Sequence, residues 1–356
     1  MFEYSYFSSL ESFFDRILHH KGKLYAYGTG NGCEKLIGLL KEKSIALDGI
    51  FASDDFAREQ IFCGYKVRPL SEMEENSTVL IAFGSDLPQI MERVENLEKN
   101  HCVISPDLAL FDNTCFSKEY FLENFSRAEK AYNLFSDELS RKTFENLTAY
   151  KITGNLQFLR EIFVSREEYL PLLKLGENEI YCDLGAYNGD TIKEFVQLAN
   201  GNYRYIYAVE PEKRNFQKCV KNCKNLDNIS FVNHAVWSHN TLADFQGKGG
   251  RQGSVSRENT GHCVPCISVD NLLEGKECTY LKFDVEGADF PAIRGADKTI
   301  KKFSPKIFTA LYHHPYDYFE IPLYINEIYG GYDFYMRQSP YYPAWETNLI
   351  CKNKEL

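Results

Sequence analysis

Ile180-Tyr181-Cys182-Asp183-Leu184-Gly185-Ala186-Tyr187-Asn188-Gly189-Asp190-Thr191 is the stretch whose reading decides the fold. A short apolar run, Ile180 to Cys182, has strand length. The pattern after Thr191, through Leu198, has helical spacing. Between them lies a turn built on two glycines. Gly185 lets the backbone bend sharply and approach a ligand, and Gly189 opens the helix, whose first N–H groups lack internal partners. In a dinucleotide fold this place holds a pyrophosphate under a G-x-G-x-x-G fingerprint. Here Asp183 replaces the first glycine. A carboxylate there repels pyrophosphate but suits an ammonium, such as that of the methionine part of S-adenosylmethionine (SAM). The turn 183–191 is therefore expected to cradle SAM, with Asp183, Gly185, Ala186, Tyr187, Asn188, Gly189, Asp190 and Thr191 around it.

Outward from the turn, strands and helices alternate. Tyr205 to Val209 ends in Glu210-Pro211, 27 residues after Asp183. A carboxylate at the end of the second strand can accept both hydroxyls of a ribose. Ile229 to Val232, Thr279 to Phe283 and Lys306 to Leu311 read as further strands, with helices over Arg214 to Lys224 and from about Phe290. The tail, Tyr332 to Met336 and Glu346 to Cys351, reads as a hairpin closing an otherwise parallel sheet.

Two strand ends carry chemistry. Tyr280-Leu281-Lys282-Phe283 runs into Asp284-Val285-Glu286-Gly287, and Lys306 to Leu311 runs towards His313-His314. Ligands of open α/β sheets lie at the carboxyl ends of strands, so Asp284, Glu286 and one of the two histidines should face a cleft. His313, His314 or Asp284 could take a proton from an acceptor hydroxyl. Asp284, Glu286 and His313 could also hold a divalent cation. Tyr341, Tyr342 and Trp345, in a loop with Pro340 and Pro343, are the expected substrate contacts, because aromatic faces pack on sugar rings.

The N-terminal part has the same alternation. Lys23 to Gly28, Leu47 to Ala52, Val79 to Phe83 and Cys102 to Ser105 read as strands, separated by helices such as Cys33 to Lys43 and Pro88 to Glu98. Gly28-Thr29-Gly30-Asn31-Gly32 could form a second nucleotide turn, for a nucleotide-linked sugar. A domain that only packs or forms a homodimer explains it as well. Segments after Ser117, such as 136–143 and 156–163, read as a packed helical connector. The expected division is 1–115, a small Rossmann-like α/β domain; 116–170, the connector; and 171–356, the domain bearing the cleft.

Composition narrows the class. The chain has 356 residues and a formal net charge of −10, with no cluster of Lys and Arg to grip phosphate backbones, so nucleic acid is an unexpected partner. Its longest apolar runs have strand length, and residues 1–6 lack the pattern of a signal peptide. A cytoplasmic protein with no membrane span is expected, its 11 cysteines reduced. Cys263-Val264-Pro265-Cys266, with Cys219 and Cys223, would make a zinc site, but Cys263 to Val269 reads better as a strand.

From Glu179 to Cys351 the chain resembles the FkbM family of methyltransferases. The carrying segments are CDLGAYNGDT (182–191), YAVEPEKRNF (207–216), NHAVWS (233–238), SVDNLL (268–273), YLKFDVEGADFPAIRGA (280–296) and LYHHPYDYFEIPLYI (311–325). The resemblance implies a class I SAM-dependent methyltransferase fold, a seven-stranded Rossmann-like sheet with its last strand antiparallel. It implies SAM contacts at Asp183, Gly185, Tyr187, Asn188, Asp190, Thr191 and Glu210, and a cleft role for Asp284, Glu286 and His313 or His314. It implies O-methylation of a sugar, nucleotide-sugar or glycoconjugate, in a pathway of the surface-polysaccharide type, with a small-molecule or glycan acceptor. The competing readings are an NAD-dependent sugar-nucleotide oxidoreductase using the Gly28–Gly32 turn, and a SAM-binding module without catalysis.

Overall fold

The computed structural model describes residues 2–20, 22–57, 60–108, 110, 115–246, 254–256 and 263–354. Met1 and Leu356, the outer limits of the expected division, lie outside them.

Six strands form the first sheet: β1 (Leu24–Tyr27), β2 (Gly49–Ala52), β3 (Ile61–Phe62), β4 (Tyr65–Pro69), β5 (Thr78–Ile81) and β6 (Cys102–Ile104). Their order is β3-β4-β2-β1-β5-β6, parallel throughout except for the two-residue β3 at one edge. β1, β2 and β5 are buried along their whole length, as strands covered on both faces must be.

The connector is helical and tightly packed. Its main helix, Glu138–Thr153, is capped by Asp137, which accepts the Ser140 N–H at 2.8 Å, and stops at Gly154 in the left-handed region (φ 64°). It lies along the strand Tyr332–Gln338, where Ser140 Oγ accepts the Met336 N–H at 3.0 Å and Asp137 pairs with Arg337 at 2.5 Å. The expected helix over 156–163 shortens to Gln157–Arg160. One apolar cluster runs through Ile81 of the first sheet, Phe144 of the connector, and Leu184 and Met336 of the second sheet.

The second sheet holds β7 (Ile180–Leu184), β8 (Tyr205–Val209) and β9 (Ile229–Val232). After it the chain makes a small four-stranded sheet from β10 (Ala235–Val236), β11 (Thr241–Gln246), β12 (Ser254–Ser256) and β13 (Cys263–Ile267). It then returns as β14 (Tyr280–Phe283), β15 (Lys306–Ala310), β16 (Tyr332–Gln338) and β17 (Thr347–Asn353). The order is β16-β17-β15-β14-β7-β8-β9, and only β17 runs against the rest. This is the seven-stranded arrangement with an antiparallel last strand that the resemblance implies. The expected strand Cys263 to Val269 ends at Ile267, because Ser268 caps a short helix, Val269–Leu273. The chain leaves β7 towards β8 on one side and rejoins it with β14 on the other. A crevice opens at such a reversal, above the carboxyl ends of the strands.

Among the described residues no helix is long and apolar enough to cross a membrane.

Candidate active site

A cavity of about 580 Å³ fills that crevice. Its floor is the turn after β7. Gly185 has φ +90°, and a Cβ there would lie 1.9 Å from the Asp284 carbonyl oxygen, so only glycine lets β7 and β14 close up beneath the cavity. Tyr187 is held at φ +45° while its N–H donates to Glu210 Oε2 at 2.9 Å. Gly189 (φ +84°) backs onto Cys219 and Cys223, leaving no space for a side chain, and starts the helix Asp190–Leu198.

The sequence-predicted residues divide into two layers. Gly185, Tyr187, Asp190, Thr191 and Glu210 line the cavity; Asp183, Ala186, Asn188 and Gly189 do not. Asp183 is fully buried. Its Oδ1 accepts from Lys282 Nζ at 3.1 Å and its Oδ2 from Thr191 Oγ1 at 2.5 Å. The Asp183 carboxylate, expected to meet a ligand ammonium directly or through water, anchors Lys282 and Thr191 under the floor. Burial lowers the Lys282 ammonium, but the charges of Asp183 and Asp284 outweigh it and hold the group above its ordinary value. Ala186 and Asn188 shape the turn: Ala186 N–H donates to Val209 O at 2.9 Å, and Asn188 Oδ1 accepts from Asp190 N–H at 3.0 Å.

Glu210 closes β8, with Oε1 accepting the Glu212 N–H at 2.9 Å. Burial pushes its carboxyl up to about 7, against the pull of its two backbone donors. Each oxygen retains a second lone pair for a hydroxyl donor.

On the far side, Asp284 and Glu286 line the cavity. Glu286 (φ +52°) and Gly287 (φ +88°) form a tight turn that projects both carboxylates inwards. Asp289, which sequence reasoning did not single out, braces this turn. Its Oδ1 accepts the Val285 N–H at 3.2 Å, and its Oδ2 binds His313 Nδ1 at 2.5 Å. The other nitrogen of His313 faces Asp284 at 3.6 Å and Glu286 at 3.8 Å. Burial lowers this ring, but the three carboxylates outweigh burial and push it up to about 10. At neutral pH the ring already carries its proton, which suits it to orienting carboxylates and not to accepting a proton from a hydroxyl. His314 turns away from the cavity, its Nε2–H donating to Gly287 O at 2.9 Å. Neither histidine, each expected as a possible base, lines the cavity.

The metal expectation is not supported either. Among the described residues no group of three or more His, Cys, Asp or Glu is arranged to hold a metal ion. All 11 cysteines are free thiols, and Cys263 is exposed on β13.

Of the three expected substrate aromatics, only Tyr341 lines this cavity. Tyr342 is buried against Phe163, its hydroxyl accepting from Arg160 Nε at 2.5 Å. Trp345 packs over Gly84, in the loop after β5, where a Cβ would come 2.2 Å from its ring. Two backbone hydrogen bonds join the same places: Ser85 N–H to Tyr342 O (2.7 Å) and Tyr342 N–H to Ser85 O (3.0 Å). So Asp86 of the N-terminal part reaches the cavity wall, as do Arg166 and Glu167 of the connector, Tyr312 after β15 and Glu346 before β17. None of these was predicted. Ala235 and Val236, also in the wall, lie inside the motif 233–238.

Beneath the Gly28–Gly32 turn lies a smaller cavity of about 290 Å³. Gly32 meets the Ala82 carbonyl so closely that a Cβ would stand 2.4 Å from it. Close helix packing thus accounts for that glycine.

The geometry agrees with what comparison shows. The profile of the Methyltransferase FkbM domain family matches residues 183–334, a span that includes the glycine turn, Glu210, Asp284, Glu286 and both histidines. The crystal structure of the methyltransferase FkbM from Methylobacillus flagellatus KT is similar over 98% of this chain and 97% of its own, with a TM-score of 0.74 and 14% sequence identity. Partial likeness extends to Aeropyrum pernix fibrillarin with bound S-adenosyl-L-methionine (TM-score 0.32, 12% identity, 53% of this chain and 74% of that one). It extends also to a SAM-dependent methyltransferase from Aquifex aeolicus (0.32, 9%, 63% and 96%). No curated protein matches the chain. Residues 183–334 are thus similar to the Methyltransferase FkbM domain, and the whole chain shares its fold with one solved FkbM methyltransferase.

Proposed function

We propose that the chain transfers a methyl group from SAM to a hydroxyl of a sugar or glycoconjugate, in a pathway of the surface-polysaccharide type. The single observation that carries this is the cavity itself. One wall offers a glycine turn and a strand-end carboxylate for a nucleoside with ribose hydroxyls, and the facing wall offers two carboxylates for proton removal. SAM bound here supplies an activated methyl carried on a sulfonium. The residues fit it: Glu210 accepts the ribose hydroxyls, Gly185 lets the backbone approach, and the excess of carboxylates suits a cation.

Asp284 is the proposed base. It takes the hydroxyl proton as oxygen bonds to the methyl carbon and the carbon–sulfur bond breaks. His313, held by Asp289, orients Asp284 and Glu286. Proximity and alignment supply much of the rate, because the methyl donor is already activated. The same reading divides the chain near 115 and 170, with 171–356 carrying transfer and 1–115 completing the acceptor wall.

The test is transfer of isotope-labelled methyl from SAM to hydroxyl-bearing saccharides, with wild type and Asp284→Asn. Label recovered as an alkali-stable methyl ether, with turnover lost in the variant while S-adenosylhomocysteine still binds, supports the reading. Label on nitrogen or carbon, or an unchanged rate in the variant, removes the proposed acceptor or Asp284 from it.

A further inference from the structure

The acceptor half of the cavity carries a charge balance that selects among acceptors. Asp86, Glu167, Asp284, Glu286 and Glu346 line it, contributed by the N-terminal part, the connector and the second sheet. Among the described lining residues the cations are Arg166 and Lys282. Both are committed. Arg166 is clasped by Glu194 through two bonds of 2.7 Å, and Lys282 is held beneath the floor by Asp183. Glu194 occupies Nε and Nη2 of Arg166 and neutralises its charge, while Nη1 lies 3.5 Å from the Tyr169 hydroxyl. The field of the carboxylates is felt inside the wall. The Tyr312 phenol is pushed well above its ordinary value, by burial first and then by the charges of Asp284, Glu346 and Glu286. Tyr312 and those three carboxylates all line the cavity.

A confined site lined by one sign of charge concentrates ligands of the other sign and repels its own. Selection against the wrong partner by like charge is a common route to specificity. Resting on the methyltransferase reading above, we infer that the acceptor carries a protonated amine near its reacting hydroxyl, and that phosphorylated, nucleotide-linked or carboxylated acceptors are turned away. A neutral polyol is tolerated. Asp86 and Glu167 are exposed at the rim, so they meet the acceptor first, while Asp284 and Glu286 lie at the reacting end.

The experiment uses the full chain and three probes of one scaffold: glucosamine, glucose and glucose 6-phosphate. S-adenosylhomocysteine binding is measured first by calorimetry, and saturation-transfer NMR then ranks the sugars on the loaded protein. Failure of the cofactor reading shows as absent S-adenosylhomocysteine binding, separately from the sugar ranking. The expected order is glucosamine, then glucose, then glucose 6-phosphate, with about tenfold or more between the extremes. Added salt should narrow it, because exposed charges are screened. In the double variant Asp86→Asn, Glu167→Gln the preference for the amine should fall several-fold. Binding of glucose 6-phosphate as tight as that of glucosamine overturns the inference. So does a preference that survives the double variant, or no sugar binding by a protein that binds S-adenosylhomocysteine.

Discussion

His313 Nδ1 lies 2.5 Å from Asp289 Oδ2, with both side chains sealed from solvent. The pair sits directly behind the two carboxylates that face the acceptor. Its cation is raised from an ordinary 6.5 to about 10. A raised histidine stabilises the fold fully below its unfolded value and ceases to do so as pH passes its folded value. Stability should therefore decline between about pH 6.5 and pH 10, by a few kcal/mol at most. In Asp289→Asn that decline should largely vanish, while stability at neutral pH drops by about 3–5 kcal/mol, the cost of breaking a buried pair. Thermal melts across this pH range check both statements, and an unchanged pH slope in the variant contradicts them.

Glu210 makes the opposite demand on pH. Its carboxyl stands near 7 in the free protein, and a ligand hydroxyl donates best to the ionised form. S-adenosylhomocysteine binding should weaken as pH falls through 7, because binding expels the proton that Glu210 holds in the free protein. Glu210→Gln should bind weakly with a flat profile between pH 6 and pH 8. Calorimetry in two buffers of different ionisation heat reads the proton directly.

Gly185→Ala should be severe. The added carbon would lie 1.9 Å from a backbone oxygen of β14's end, and φ +90° is strained for any side chain. Strain of about 1–3 kcal/mol, before the clash is counted, should lower the melting temperature and abolish S-adenosylhomocysteine binding. Wild-type affinity in this variant would refute the assigned role of the turn.

Gly84→Ala tests the junction between the two sheets. The new methyl displaces the Trp345 ring, which with Tyr341 forms one side of the loop over the cavity. Trp345 is one of two tryptophans, so its emission can be followed with Trp237→Phe as background. A shifted emission maximum with S-adenosylhomocysteine affinity retained is the expected result. An unshifted maximum would show that the loop does not rest on Gly84.

Much of the fold was legible because strand ends and turns are local. The run 180–184, the glycines at 185 and 189 and the carboxylate at 210 lie within one βαβ unit, and the structure joins them through the Tyr187–Glu210 bond. The pairing of Asp183 was not legible, because its partner, Lys282, is 99 residues away and no local pattern reveals that a strand-end carboxylate is already paired. The two histidines looked equivalent in sequence. Only packing shows that His313 turns inwards to Asp289 and His314 outwards to Gly287. Asp86, Arg166 and Glu167 were invisible for the same reason: they reach the cavity through contacts between distant segments. Tyr342 and Trp345 carry the composition of a sugar platform, and the structure packs them against Arg160 and against Gly84 in the loop after β5.

The central claim is a nucleoside site on the second sheet, held at Glu210. Calorimetry of S-adenosylhomocysteine and of NAD, against the wild type and Glu210→Ala, tests it most directly. Loss of hydrogen bonds to a charged partner is worth about 1.5–3 kcal/mol, so the substitution should weaken S-adenosylhomocysteine by roughly 10- to 100-fold, and NAD should not bind. Wild-type binding of NAD in place of S-adenosylhomocysteine, untouched by Glu210→Ala, would contradict the account and move the cofactor to the Gly28–Gly32 turn.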